Sequence, residues 1–191
     1  MAVESSPVIV TGLPRSGTSL VMQMLAAGGL PLLTDGSRVP DEDNPRGYYE
    51  IESARTPAAI KDLVAAAAGK AVKITIPQVR QIPVTCAARV LFIRRRLSEV
   101  LESQRTMLNR HGRAPSAPVK VIQRLFEQQL EETDAFFAAA PGIQILPLEF
   151  HAVLARPAEA VAAIAAFLAA PLDTAAMVAS VDGGLHRQRG R

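Results

Sequence analysis

Gly12-Leu13-Pro14-Arg15-Ser16-Gly17-Thr18-Ser19 joins a β-branched run, Pro7-Val8-Ile9-Val10-Thr11, to an apolar stretch with helical spacing from about Thr18 to Ala27. Strand, glycine-rich turn and helix in that order restrict the chain to a few α/β arrangements. Gly12 and Gly17 permit backbone angles that turn successive N–H groups inward, forming a concave anion site. The start of the helix adds donors without intrahelical acceptors and the positive end of its dipole. Pro14, Arg15, Ser16, Thr18 and Ser19 complete the candidate phosphate loop, with a fixed cation and hydroxyls around the backbone. A strand-to-helix turn that held no ligand would need none of these polar groups.

The spacing of Gly12 and Gly17 matches the phosphate loop of nucleoside triphosphatases, and Ser19 matches its hydroxyl position. Thr18, however, stands where that loop carries its lysine, and Arg15 is the available cation.

The remaining pattern repeats the theme. Strands are expected at 71–76, 89–93 and 143–148, and helices at about 57–68, 98–109, 118–139 and 157–170. On the long helix from Pro118, the residues Val121, Ile122, Leu125, Phe126 and Leu130 read as the inner face. Short continuous apolar strands separated by helices imply parallel βαβ units with both sheet faces covered. The expected architecture is a three-layer α/β/α sandwich, one domain over 1–191, with a mostly parallel sheet of about four or five strands. A loop at 34–50, rich in Gly, Pro, Asp, Asn and Arg, reads as functional, and 181–191 as a basic tail.

Composition excludes other classes. With 49% hydrophobic and 20% charged residues the chain is neither disordered nor membrane-spanning; no run approaches ~20 apolar residues. The acidic start Met1-Ala2-Val3-Glu4 is unlike a signal peptide, so the cytoplasm is the expected compartment. A net charge of +3 without a lysine-rich or aromatic stripe gives no case for nucleic acid. The single cysteine, Cys86, reads as a small buried hydrophobe. The three histidines lack metal-ligand spacing, so no metal is expected. Nothing in the residues specifies an oligomeric state.

A second anion site is expected after the third predicted strand, which ends in Arg94-Arg95-Arg96. Ligands of parallel sheets collect beyond the carboxyl ends of the strands. A nucleoside triphosphatase usually places an aspartate there to hold magnesium. Three cations at a helix start oppose its dipole, an arrangement that makes sense if an anion is gripped directly. Arg94 is free to take the opposite face, and Arg96 to pair with Glu99 or Glu102.

The first loop resembles the 5′-phosphosulfate loop of the sulfotransferases that use 3′-phosphoadenosine 5′-phosphosulfate (PAPS), whose core is Pro-Arg/Lys-Ser/Thr-Gly-Thr. The resemblance implies that Arg15 to Ser19 hold the 5′-phosphate and sulfuryl group, with Arg15 stabilising charge on the bridging oxygen. That family binds the 3′-phosphate through an Arg-Asp-Pro segment and a serine in the following helix. Aligning Ser103 with the serine puts Arg95 at the arginine, while Arg96 and Leu97 replace Asp-Pro. Many members carry Lys-x-His in a strand; here Lys73 matches, and Thr75 occupies the histidine position. Other members use a glutamate as base. The stretch Asn44-Pro45-Arg46-Gly47-Tyr48-Tyr49-Glu50 resembles a segment of bacterial sulfotransferase-like proteins. Glu50 is the first candidate base and Asp35 the second, with Asp41, Glu42 and Asp43 also in the loop. Ile145 to Phe150, then Pro157 and Phe167-Leu168, is similar to the family's late strand-Glu-helix-Phe-Leu pattern. In the tail, Arg187 is a candidate for the 3′-phosphate. The resemblance implies metal-free sulfuryl transfer to a hydroxyl or amine of a small-molecule or glycan acceptor. The rival readings are a P-loop nucleoside triphosphatase or small-molecule kinase, and a non-catalytic adenosine-bisphosphate binder.

Overall fold

The computed structural model describes residues 6–37, 41, 47–51 and 56–181. Its centre is a parallel sheet of five strands in the order β2-β3-β1-β4-β5. These are β1 (Val8–Thr11), β2 (Leu32–Leu33), β3 (Ala71–Lys73), β4 (Ala88–Arg94) and β5 (Ile143–Glu149). The helices are α1 (Thr18–Ala27), α2 (Pro57–Ala66), α3 (Leu97–Arg110), α4 (Val119–Ala138), α5 (Phe150–Ala155), α6 (Pro157–Leu168) and α7 (Thr174–Ala179).

Strand side chains alternate between two cores, as the pleat requires. Ile9, Val72, Val90, Phe92 and Ile143 pack under α2, α3 and α4. Val8, Val10, Leu91, Ile93 and Leu148 pack under α1, α5, α6 and α7. Covering both faces explains why β1 is continuously buried and the heart of β4 continuously apolar. The layers are those expected from the sequence.

Local differences have local causes. Strand β3 ends at Lys73, although Ile74 and Ile76 still donate backbone hydrogen bonds to Val10 and Gly12. A 3₁₀ turn at Gln78–Gln81 follows. The two-residue β2 is too short to leave a periodic signal, and α5 follows β5 without a loop. α7 is capped by Asp173, whose side chain accepts from Ala176 N at 2.9 Å.

On α4 the expected inner face was too wide. Ile122, Phe126, Thr133 and Phe137 are buried and Leu130 packs against them, but Val121 is 54% exposed and Leu125 48%. Each residue rotates ~100° around a helix, so Val121 and Leu125 form a neighbouring stripe turned away from the sheet. Cys86 is likewise half-buried rather than buried, though it touches the core and desolvation pushes its thiol pKa up.

The chain leaves β1 toward β2 and β3, then crosses β1 to reach β4. The carboxyl ends of β1 and β4 lie side by side, with Thr11 opposite Phe92. A reversal of strand order of this kind opens a crevice at the carboxyl edge. Among the described residues, no helix is long and apolar enough to cross a membrane.

Candidate active site

A cleft of about 550 Å³ opens at this edge, lined by the first loop, the wall of α3, the Tyr48–Glu50 segment and the end of β3. The loop enters it from β1. Leu13 is buried and anchors the turn, and Ser16 N donates to Leu13 O at 3.1 Å. Gly17 precedes α1 with φ +108°, and a Cβ there would lie 2.6 Å from Phe150 Cδ2. Only glycine meets both conditions. It offers no side-chain cap, so the first amides of α1 depend on another acceptor.

The residues of the loop divide in their exposure. Pro14, Arg15, Gly17, Thr18 and Ser19 line the cleft. Ser16 does not: its hydroxyl is buried, with no hydrogen-bond partner among the described residues. Gly12 is also outside the lining; a Cβ on it would sit 2.5 Å from both Ile93 O and Ser16 Oγ. Its role is close approach of the loop to β4.

Arg15 adopts φ +72°, a left-handed conformation that a non-glycine residue keeps only when its surroundings enforce it. Two contacts do so. Arg15 Nε donates to Ser103 Oγ at 3.1 Å, and Arg95 Nη1 donates to Arg15 O at 3.2 Å. The loop, the end of β4 and the body of α3 therefore meet at one point.

The arginine cluster is sorted by partner. Arg94 leaves the cleft, pairing with Asp134 of α4 and covering the Phe92 ring. Arg96 is largely exposed, 4.0 Å from Glu99 Oε1. Arg95 lines the cleft, lies over the Phe150 ring at 4.4 Å and bonds Glu99 Oε2 through Nε at 3.0 Å. Sequence reasoning offered Glu99 or Glu102 as a partner of Arg96. In the structure Glu99 is buried among Arg95, Arg96 and His151, whose Nε2 lies 3.0 Å from Glu99 Oε1. The i,i+4 spacing of Arg95 and Glu99 carried that signal; the approach of His151 did not exist until α5 folded.

Across the cleft, Lys73 is 6% exposed and sits inside the sheet, between β2 and β1, not at an edge. Its Nζ donates to Tyr48 O at 2.9 Å and Ser19 Oγ at 3.3 Å, and pairs with Glu50 Oε1 at 3.0 Å. A buried lysine needs such partners. Glu50 and Thr75 line the cleft, as does Asp41, whose Oδ2 accepts from the buried Tyr48 hydroxyl at 2.6 Å. Asp35 does not: it is an exposed turn residue accepting from Ser37 N at 2.9 Å, and among the described residues Asp41 is the loop aspartate that faces the cleft. The Asp-Gly sequence favours a local turn over a reach toward the site. Arg187 lies outside the described residues.

The edge therefore holds cations and amides on the loop side and a Lys–Glu pair beside them, a set suited to a polyanionic donor and a proton-bearing acceptor. Among the described residues, no group of three or more His, Cys, Asp or Glu side chains is arranged to hold a metal ion.

The architecture is a P-loop-like α/β fold of the kind found in sulfotransferases. Sulfotransferase STF9 from Mycobacterium avium superposes with a TM-score of 0.55 at 13% identity, over 98% of this chain and 70% of that one. A sulfotransferase from Alicyclobacillus acidocaldarius superposes with a TM-score of 0.52 at 16% identity, over 96% of this chain and 97% of that one. At these identities the likeness establishes the fold. No protein-family model matches the sequence, and no curated protein matches it.

Proposed function

We propose that this chain is a sulfotransferase of the bacterial type, transferring the sulfuryl group of PAPS to a hydroxyl or amine acceptor. The observation that carries the reading is the convergence of Arg15, Arg95 and Ser103, from three separate segments, at the loop end of one cleft. One donor molecule with a 5′-phosphosulfate and a 3′-phosphate has anionic groups for both the loop and the α3 side.

In this reading the amides of the first turn of α1, with Thr18 and Ser19, hold the 5′-phosphosulfate. Arg95 and Ser103 hold the 3′-phosphate. The acceptor oxygen or nitrogen attacks sulfur in line with the bridging oxygen, and the new bond forms as the S–O bond to phosphate breaks. Negative charge grows on the departing 5′-phosphate, where Arg15 and the helix dipole offset it. Lys73 neutralises the sulfuryl oxygens, and Glu50 takes the acceptor proton. The leaving group is adenosine 3′,5′-bisphosphate. A small-molecule or glycan acceptor enters from the Asp41, Tyr48 and Thr75 side.

Two observations weigh against a nucleoside triphosphatase: Thr18 replaces the loop lysine, and β4 ends in Arg94 rather than a magnesium-holding acid. Two observations favour a second reading, a bisphosphate-binding relative without turnover. Glu50 is already engaged by Lys73, and Thr75 stands where related enzymes carry histidine.

Incubation with sulfur-labelled PAPS, EDTA and a panel of phenols, amines and sugars tests the assignment. Label transfer that is lost in Lys73→Met supports it. Firm donor binding with no transfer to any acceptor favours the second reading.

A further inference from the structure

Arg95 is held by more than its place in the chain. Its side chain is 7% exposed, and the neighbours that fix it include Glu99 at Nε, the Arg15 carbonyl at Nη1, and the Phe150 ring against its face. Phe150 also fills the space that a side chain on Gly17 would need, so one ring supports both the arginine and the loop. Glu99 is the remaining member and is 3% exposed, at the first turn of α3. Its two oxygens are divided, Oε2 toward Arg95 and Oε1 toward His151 and Arg96. An exposed pair at this spacing would contribute little. Here the carboxylate is out of water, and removing its charge is felt by a guanidinium that is also out of water.

We propose that Glu99 is a positioning residue of the donor site, its buried carboxylate orienting the Arg95 guanidinium between the phosphate loop and the bound nucleotide. This rests on the sulfotransferase reading given above. Glu99 touches neither donor nor acceptor; it acts through Arg95. It also offsets Arg95 and Arg96, which crowd the start of α3. The basic run thus owes part of its existence to an internal acid as well as to a ligand.

Calorimetric titration with adenosine 3′,5′-bisphosphate, together with steady-state kinetics in PAPS, tests the proposal on Glu99→Gln. The expected result is bisphosphate affinity lower by roughly tenfold, with the donor KM raised similarly and kcat little changed, the signature of a lost ground-state grip. Glu102→Gln, which removes an exposed carboxylate paired with Arg105 on the same helix, should change either value by no more than about twofold. Unchanged affinity in Glu99→Gln, or a fall in kcat with KM unaltered, would overturn the proposal in favour of a purely structural role. Should Glu99→Gln fail to fold, the apolar double variant Arg95→Met, Glu99→Met is compared with Arg95→Met alone. Equal bisphosphate affinity supports action through Arg95, and a weaker double variant contradicts it. Wild-type protein that ignores the bisphosphate altogether overturns the sulfotransferase reading, and this proposal with it.

Discussion

At Arg15 the backbone is held at φ +72°, a conformation that costs of order 1–3 kcal/mol for a residue with a side chain. The strain is offset by contacts to Ser103 and Arg95, which hold the loop in place. Preorganised donors avoid reorganisation when charge develops, and that is the condition under which they accelerate a reaction. Truncating Arg15 to alanine should cost roughly 1.5–3 kcal/mol of bisphosphate binding, the worth of a charge-assisted hydrogen bond, measurable by calorimetry. Gly17→Ala should be worse, because both the angle and the Phe150 contact oppose it; loss of bisphosphate binding together with a lowered melting temperature is expected. At Lys73 the expectation separates binding from chemistry. Lys73→Met should lower kcat by about 10²–10³-fold, as loss of a charge-stabilising group does, while bisphosphate affinity stays within a few-fold of wild type. Cys86 gives an independent check of burial. Desolvation raises its thiol pKa, so less thiolate exists at a given pH. Its alkylation by iodoacetamide near neutral pH should run slower than that of a free thiol and accelerate as the pH rises or the protein unfolds.

Among the elements, those that were legible in the sequence share one property: their signal is local. β1, the phosphate loop and α1 follow from consecutive residues, and so do the runs that became β4, α3 and β5. What was not legible depended on neighbours. The two leucines of β2 form a strand because β3 is there to pair with them. α4 shows the same limit in reverse: two apolar stripes lie side by side, and only the sheet selects the one through Ile122, Phe126 and Phe137. The site divides in the same way. Arg15 stood out by residue type and spacing, and Lys73, Glu50 and Arg95 through the family resemblance. The choice of Asp41 over Asp35, and the Glu99–His151 contact, required long-range folding. The selection on α4 is testable by chemical denaturation. Ile122→Ala should destabilise by about 2–4 kcal/mol, as buried aliphatic truncations do. Val121→Ala and Leu125→Ala, on the exposed stripe, should each fall within roughly 0.5 kcal/mol of wild type.

On the scale of the whole molecule, two apolar cores hold the sheet rigid from both faces, and the polar chemistry gathers at its carboxyl edge. Reversal of strand order brings the ends of β1 and β4 together there, while α3 and the Tyr48–Glu50 segment form facing walls. In the proposed reading the two sides have separate tasks, with donor grip on loop and α3, and acceptor handling near β3. In that reading, loop and α3 side together hold one metal-free, 3′-phosphorylated nucleotide. Thermal denaturation of the wild-type protein in EDTA, with and without adenosine 3′,5′-bisphosphate, tests it most directly, with Mg-ATP and Mg-GTP as the comparison. At about a hundredfold excess over Kd the bisphosphate should add ~2.7 kcal/mol, a rise in Tm of roughly 5–10 °C for a chain of this size. Stabilisation by the magnesium nucleotides alone, or by none of the three, would contradict the claim.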